Sequence, residues 1–192
     1  SDVCSSDLDT ELFKPAEKHN AKRILGLNPD KKYILFVAMR VNAPKKGFHF
    51  LQEALKELDS DQYELIIAGN AQDIPDLALK AHKLGHISSP EKMIEVYQAA
   101  DVFVTPSLEE NLPNTIMEAL ACGTPCVGFN IGGIPEMIEH QVNGYVAKYQ
   151  SVEDLHKGLL WTLENAPEQA ARLKAESAYS ESIIAAKHLK FY

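Results

Sequence analysis

The sequence predicts an α/β chain: a doubly wound parallel sheet of about six strands with helices on both faces. Two patterns carry that expectation. Short apolar runs rich in strand formers recur along the chain, and stretches with helical periodicity occupy the gaps between them. Alternation of this kind implies parallel strands joined by right-handed helical crossovers.

Taken in order, residues 1–8 are polar and without periodicity and read as a disordered or non-native leader. Residues 33–38, Tyr-Ile-Leu-Phe-Val-Ala, form a run too uniformly apolar to have a wet face, as expected of a central strand covered on both sides. Phe48, Leu51, Leu55 and Leu58 then share one helical face. A second strand is expected over 63–68 and a weaker third over 79–84. Met93, Val96, Tyr97 and Ala100 mark the next helix, followed by strands over 101–105, 125–129 and 144–148. Beyond 152 the pattern is helical only, so residues 166–192 are expected to form an arm leaving a domain that spans 9–165.

Composition narrows the functions available. The chain has 192 residues, 45% of them hydrophobic and 24% charged, as in an ordinary globular domain, and a net charge of −8 disfavours a nucleic-acid-binding surface. No apolar run reaches the roughly 20 residues needed to span a bilayer, so a cytoplasmic location without membrane insertion is expected. Cys4, Cys122 and Cys126 fit neither a disulfide framework nor a zinc site. His82 and His86 lack a nearby acidic third ligand, and Asp59-Ser60-Asp61 reads as a polar turn, so no metal is expected.

In an open parallel sheet, ligands bind beyond the carboxyl ends of the strands. The loop after the first strand, residues 40–47, carries Arg40 and Lys46, cations suited to phosphate oxygens. The loop after the fourth leads through Glu110, Asn111, Leu112, Pro113, Asn114 and Thr115 into a helix that Gly123 and Pro125 end. Asn111 is the expected N-cap, which leaves the amides of residues 112–115 as an anion site. Glu110 and Glu118 flank that site, where carboxylates suit neutral hydroxyls better than phosphates. Taken as two isolated glutamates, Glu110 would more simply complement the helix dipole and Glu118 would be a surface residue. Gly132 and Gly133 precede a further helix, where the backbone could approach a ligand closely. Gly69 and Asn70 are a weaker candidate after the second strand.

These features in this order, Arg40, Lys46-Gly47, residues 100–107, Glu110 with Glu118, Gly123-Thr124-Pro125 and residues 132–136, resemble glycosyltransferase family 4, retaining enzymes of the GT-B fold. The similarity runs from about residue 9 to the end and is most specific over 98–147. It implies a Rossmann-like, donor-binding carboxyl-terminal half. The acceptor-binding amino-terminal domain would be missing, and residues 9–13 would follow the interdomain linker.

By that resemblance, Arg40 and Lys46 neutralise the diphosphate of a UDP- or GDP-sugar, Glu110 orients the sugar and Glu118 holds the ribose. The amides of Asn111 to Thr115 take phosphate, and Gly69, His86 and Ile87 flank the base. No cofactor or metal is implied. The acceptor would be a glycan or a lipid-linked sugar, used in polysaccharide synthesis at the inner membrane face, and this half alone would be inactive. Met39 stands where a glycine often precedes the arginine, and Asn111-Leu112-Pro113 replaces the commoner Gly-Phe-Gly or Gly-Phe-Pro. Two alternatives remain open: a non-catalytic nucleotide-binding or interaction module, and a sugar-nucleotide epimerase of the same fold.

Overall fold

A computed structural model describes residues 8–72 and 74–179. Its six strands are β1 (Lys32–Arg40), β2 (Tyr63–Asn70), β3 (Ala81–Gly85), β4 (Val102–Thr105), β5 (Cys126–Phe129) and β6 (Gly144–Ala147). They form one sheet in the order β3-β2-β1-β4-β5-β6, and every pairing is parallel. The helices are α1 (Lys18–Ile24), α2 (Phe48–Ala54), α3 (Pro90–Ala99), α4 (Asn114–Ala121), α5 (Ile134–Met137), α6 (Val152–Asn165) and α7 (Glu168–Tyr179). A 3₁₀ turn, Pro44–Lys46, precedes α2.

Two cores, one on each face, explain the apolar strands. Tyr33 and Leu35 of β1 face a core shared with α1, α3, α4 and α7, where Tyr97, Ile116, Leu120 and Ala171 are buried. Ile34 and Phe36 face the other way, onto Phe48 and Leu51 of α2 and Leu155 and Leu159 of α6. Each fully buried Leu, Ile or Phe contributes about 1.5–3 kcal/mol. No residue in the middle of β1 could be polar without costing one of the two faces.

The strand order reverses direction between β1 and β4. From β1 the sequence adds β2 and β3 on one side, and then returns to add β4, β5 and β6 on the other. The helix after β1, α2, packs on one face and the helix after β4, α4, on the opposite face. The departures leave a gap at the strand ends, lined among the described residues by the loops after β1 and β4, and this is the topological switch point where ligands bind in such sheets.

Several boundaries differ from expectation. The third strand begins at Ala81 rather than residue 79, where the pairing with Leu65 of β2 starts, and it runs on to Gly85; Leu79 is buried on the approach. Residues 1–7 lie outside the described residues; Leu8, counted with them in the expected leader, is buried in the core with α1 and α3. The expected arm is, as far as Tyr179, a helix docked on the domain, with Ala171 and Ala175 fully buried. Residues 180–192 lie outside the described residues.

Arg172 fastens that docking. Its guanidinium donates to the carbonyls of Phe13 and Ala121 at 2.7 and 2.9 Å through Nη1, and to Thr10 at 3.0 Å through Nη2. One planar fork thus ties α7 to the end of α4 and to the amino-terminal segment, which a single ammonium could not do. Arg172→Ala is expected to cost roughly 2 kcal/mol, read as a fall of several degrees in Tm by circular dichroism. Arg172→Lys should recover only part of it.

Candidate functional site

The loops after β1 and β4 are sewn together across the switch point by backbone. The Leu108 N–H donates to the Lys45 carbonyl at 2.8 Å. Gly47 lies so close to the Pro106 carbonyl that a Cβ would stand 1.8 Å from its oxygen, and its φ of +65° also favours glycine. Side-chain pairs continue the seam. Lys45 Nζ lies 2.6 Å from Glu109 Oε2, and Lys46 Nζ lies 2.5 Å from Glu110 Oε1.

Beside this seam opens a cleft of about 990 Å³, large enough for a sizeable ligand. Arg40, Lys46, Glu110, Leu112, Pro113, Asn114, Thr115 and His86 line it, so eight of the residues expected from sequence meet on one surface. Asn70 and His86 also line an adjoining pocket of about 570 Å³, together with Gly69, Gln72 and Lys83. The Arg40 side chain is exposed and has no ion-pair partner among the described residues, so its charge is available to a ligand.

Glu110 is held from both sides. Its Oε1 accepts from Lys46 Nζ and, at 2.9 Å, from the hydroxyl of Ser107, which lies 3.2 Å from the hydroxyl of Thr105. Ser107 is only 1% exposed. Ser107 is not among the site residues expected from the sequence. Its position three residues before Glu110 in a tight loop was the signal that it could reach that carboxylate.

Helix α4 starts later than expected. Pro113 occupies the cap position in an extended conformation, with no side-chain cap, and the helix begins at Asn114. A proline disfavours helical conformation in the residue before it, so neither Asn111 nor Leu112 can begin the helix. Asn111 therefore is not the N-cap, and it does not line the cleft. Its carbonyl accepts from Gly133 N–H at 2.7 Å. The N–H groups of Asn114 and Thr115 have no partner among the described residues and stand at the cleft wall, leaving a helix start open to an anion.

The paired glycines serve the protein rather than a ligand. A Cβ on Gly132 would stand 1.7 Å from the Glu110 carbonyl oxygen, and one on Gly133 would stand 2.3 Å from that of Asn111 and 2.6 Å from Leu112 Cδ2. They form the floor on which the Glu110–Leu112 loop rests. Two further expectations shift. Ile87 packs against the core beside α3 and α4 instead of lining the cleft. Glu118 is half-buried and is not among the residues lining the cleft, one oxygen accepting from the Tyr97 hydroxyl at 2.9 Å.

Burial pushes the Glu118 carboxyl above its ordinary range, and the Tyr97 hydrogen bond draws it partly back. The same surroundings push the Tyr97 hydroxyl well up. Of the two histidines weighed for a metal, His82 is committed to Glu64, its Nε2 2.6 Å from the carboxylate, whereas His86 faces the cleft. Asp59 caps its own turn, accepting from Asp61 N–H and Gln62 Nε2 at the opposite end of the sheet. Cys122 and Cys126 are buried free thiols.

Comparison with known proteins bears on this geometry. The family model described as Glycosyl transferases group 1 matches residues 17–179. The D-inositol 3-phosphate glycosyltransferase of Mycolicibacterium smegmatis is 30% identical over 190 residues, which cover 92% of this chain and 43% of that protein. Sucrose-phosphate synthase from Thermosynechococcus elongatus shares the fold with a TM-score of 0.79 at 24% identity, over 97% of this chain and 50% of that one. Anabaena HepE, solved in complex with UDP-glucose, gives a TM-score of 0.73 at 20% identity, over 97% of this chain and 56% of that one. The chain thus spans about half the length of these proteins. No described helix is long and apolar enough to cross a membrane.

The Glu118 environment makes a testable statement about stability. A carboxyl whose folded pKa is raised contributes stability below its unfolded value, and that contribution is lost as pH rises through the folded value. Glu118→Gln keeps an acceptor for Tyr97 and removes the titration. Its Tm relative to the parent chain should therefore increase as pH is raised upward from 4.5, the ordinary glutamate value, by a few degrees in all. Thermal melts across acidic to neutral pH check this, and a difference independent of pH would contradict it.

Proposed function

Because this chain belongs to the group 1 glycosyltransferases, we propose that its cleft binds a UDP- or GDP-sugar and serves transfer of the hexosyl group with retention. The supporting observation is the meeting of Arg40, Lys46, Glu110 and the free amides of Asn114 and Thr115 on one surface at the switch point. Two cations and a helix start suit a diphosphate, and a carboxylate beside them suits the hydroxyls of a sugar. The donor class also follows the fold neighbour solved with UDP-glucose.

In this reading the diphosphate lies across Arg40 and Lys46 with its oxygens toward the amides of α4. As the glycosidic bond breaks, negative charge grows on the leaving diphosphate, and cations already in place stabilise it without reorganising. Glu110 accepts from sugar hydroxyls and fixes the anomeric carbon. Glu118, one oxygen anchored on Tyr97, keeps the other for ribose hydroxyls. The base lies toward Gly69, Asn70 and His86, where the adjoining pocket opens.

In this reading the acceptor, a glycan or lipid-linked sugar, is held by an amino-terminal domain facing this cleft; the chain covers about half of each relative, which is compatible with such a partner domain. Without it the chain binds donor but transfers poorly, since the acceptor is not held near the anomeric carbon. Titration calorimetry with UDP, GDP, UDP-glucose and GDP-mannose tests the reading. At least one should bind, and Arg40→Ala should weaken it about tenfold or more, as expected for loss of a charge-assisted hydrogen bond to phosphate. A folded protein that binds none of the four, or an Arg40→Ala variant that binds equally well, would count against it.

A further inference from the structure

Lys46 and Glu110, the two side chains that would meet a donor's diphosphate and sugar, are paired with each other across the seam. The ion pair is short and only partly exposed: Lys46 is 40% and Glu110 15% accessible at the side chain. A diphosphate that recruits Lys46 must draw its ammonium away from Glu110 or share it. The carboxylate is then left facing a phosphate group. What happens next depends on whether a sugar is attached. Sugar hydroxyls donate to the carboxylate and replace the lost ammonium. A free nucleoside diphosphate supplies no such donor, and its terminal phosphate carries roughly one additional negative charge at neutral pH, its second pKa being near 6.

Ser107 decides whether Glu110 can stay in place while this happens. Its hydroxyl bonds the same Oε1 that Lys46 holds, and it lies beside Thr105 in a site only 1% exposed. The loop backbone beneath is fixed on Gly132 and Gly133. Only the lysine is free to leave, because its long side chain reaches in from the other loop. The serine bond stays and keeps Oε2 directed away from the protein anchor.

Resting on the reading of the cleft as a donor site, we propose that the Lys46–Glu110 ion pair makes this site discriminate between an intact nucleoside-diphosphate sugar and the spent nucleoside diphosphate. Ser107 is the positioning residue that holds Glu110 for the sugar when Lys46 turns to the diphosphate. Glu110 thereby favours entry of the donor and departure of the product, in addition to contacting the sugar.

The test is calorimetric, with the unmodified chain, Glu110→Gln, Ser107→Ala and Ser107→Thr titrated with UDP, UDP-glucose, GDP and GDP-mannose. Glu110→Gln removes both the competitor for Lys46 and the repulsion. It should bind the free diphosphate roughly fivefold tighter, the scale of a partly exposed ion pair, while binding of the matching sugar nucleotide stays level or weakens. Ser107→Ala should weaken the sugar nucleotide several-fold and leave the free diphosphate unchanged, and Ser107→Thr should restore the difference. A merely structural serine would weaken both ligands in parallel. The proposal is overturned if the unmodified chain binds a donor but Glu110→Gln leaves the ratio of the two affinities as it was, or if Ser107→Ala lowers both alike. Absence of binding by all four ligands would instead overturn the reading of the cleft on which the proposal rests.

Discussion

Everything in the cleft depends on the reversal of strand order between β1 and β4. A parallel sheet that grows first to one side and then to the other must send the helices after its two central strands to opposite faces. The loops after β1 and β4 then end side by side with no helix between them. The close contact of Gly47 with the Pro106 carbonyl and the Leu108–Lys45 hydrogen bond turn that adjacency into a fixed spacing. Arg40 and Lys46 come from one loop and Glu110 from the other, so their geometry is only as firm as this backbone seam.

The electrostatics follow from the same arrangement. A net charge of −8 works against binding an anion, but the cleft gathers a local excess of donors: a guanidinium without an ion-pair partner among the described residues, an ammonium and two free amides. The single carboxylate among them is ion-paired with its lysine neighbour and accepts from a buried hydroxyl. The fold supplies polar groups fixed in advance rather than net charge, which is how a small acidic domain can hold an anion without becoming a general polyanion binder.

Much of this was legible in the sequence, and the exceptions have physical causes. The uniformly apolar run at residues 33–38 announced a strand buried on both faces, and the structure gives it a core on each side. The loops after β1 and β4 could be singled out because ligands gather at strand ends. What local pattern could not reveal was long-range packing. Gly132 and Gly133 looked available to a ligand, but the Glu110–Leu112 loop occupies that space. Pro113 delayed the start of α4 and took the cap from Asn111. Ser107 and Tyr97 carry no charge, so their hold on Glu110 and Glu118 became visible only once the fold brought them within hydrogen-bond reach. The helix expected to leave as an arm shows its apolar Ala171 and Ala175 to α4, a match that periodicity in one helix cannot foretell.

The most direct measurement is a crystal structure of this chain bound to UDP-glucose or GDP-mannose, whichever it takes. The account predicts the β-phosphate between Arg40 and Lys46 with its oxygens near the amides of Asn114 and Thr115, sugar hydroxyls on Glu110, and the Ser107–Glu110 bond kept. A nucleotide seated elsewhere, or one seated in the cleft with its sugar turned away from Glu110, would contradict it.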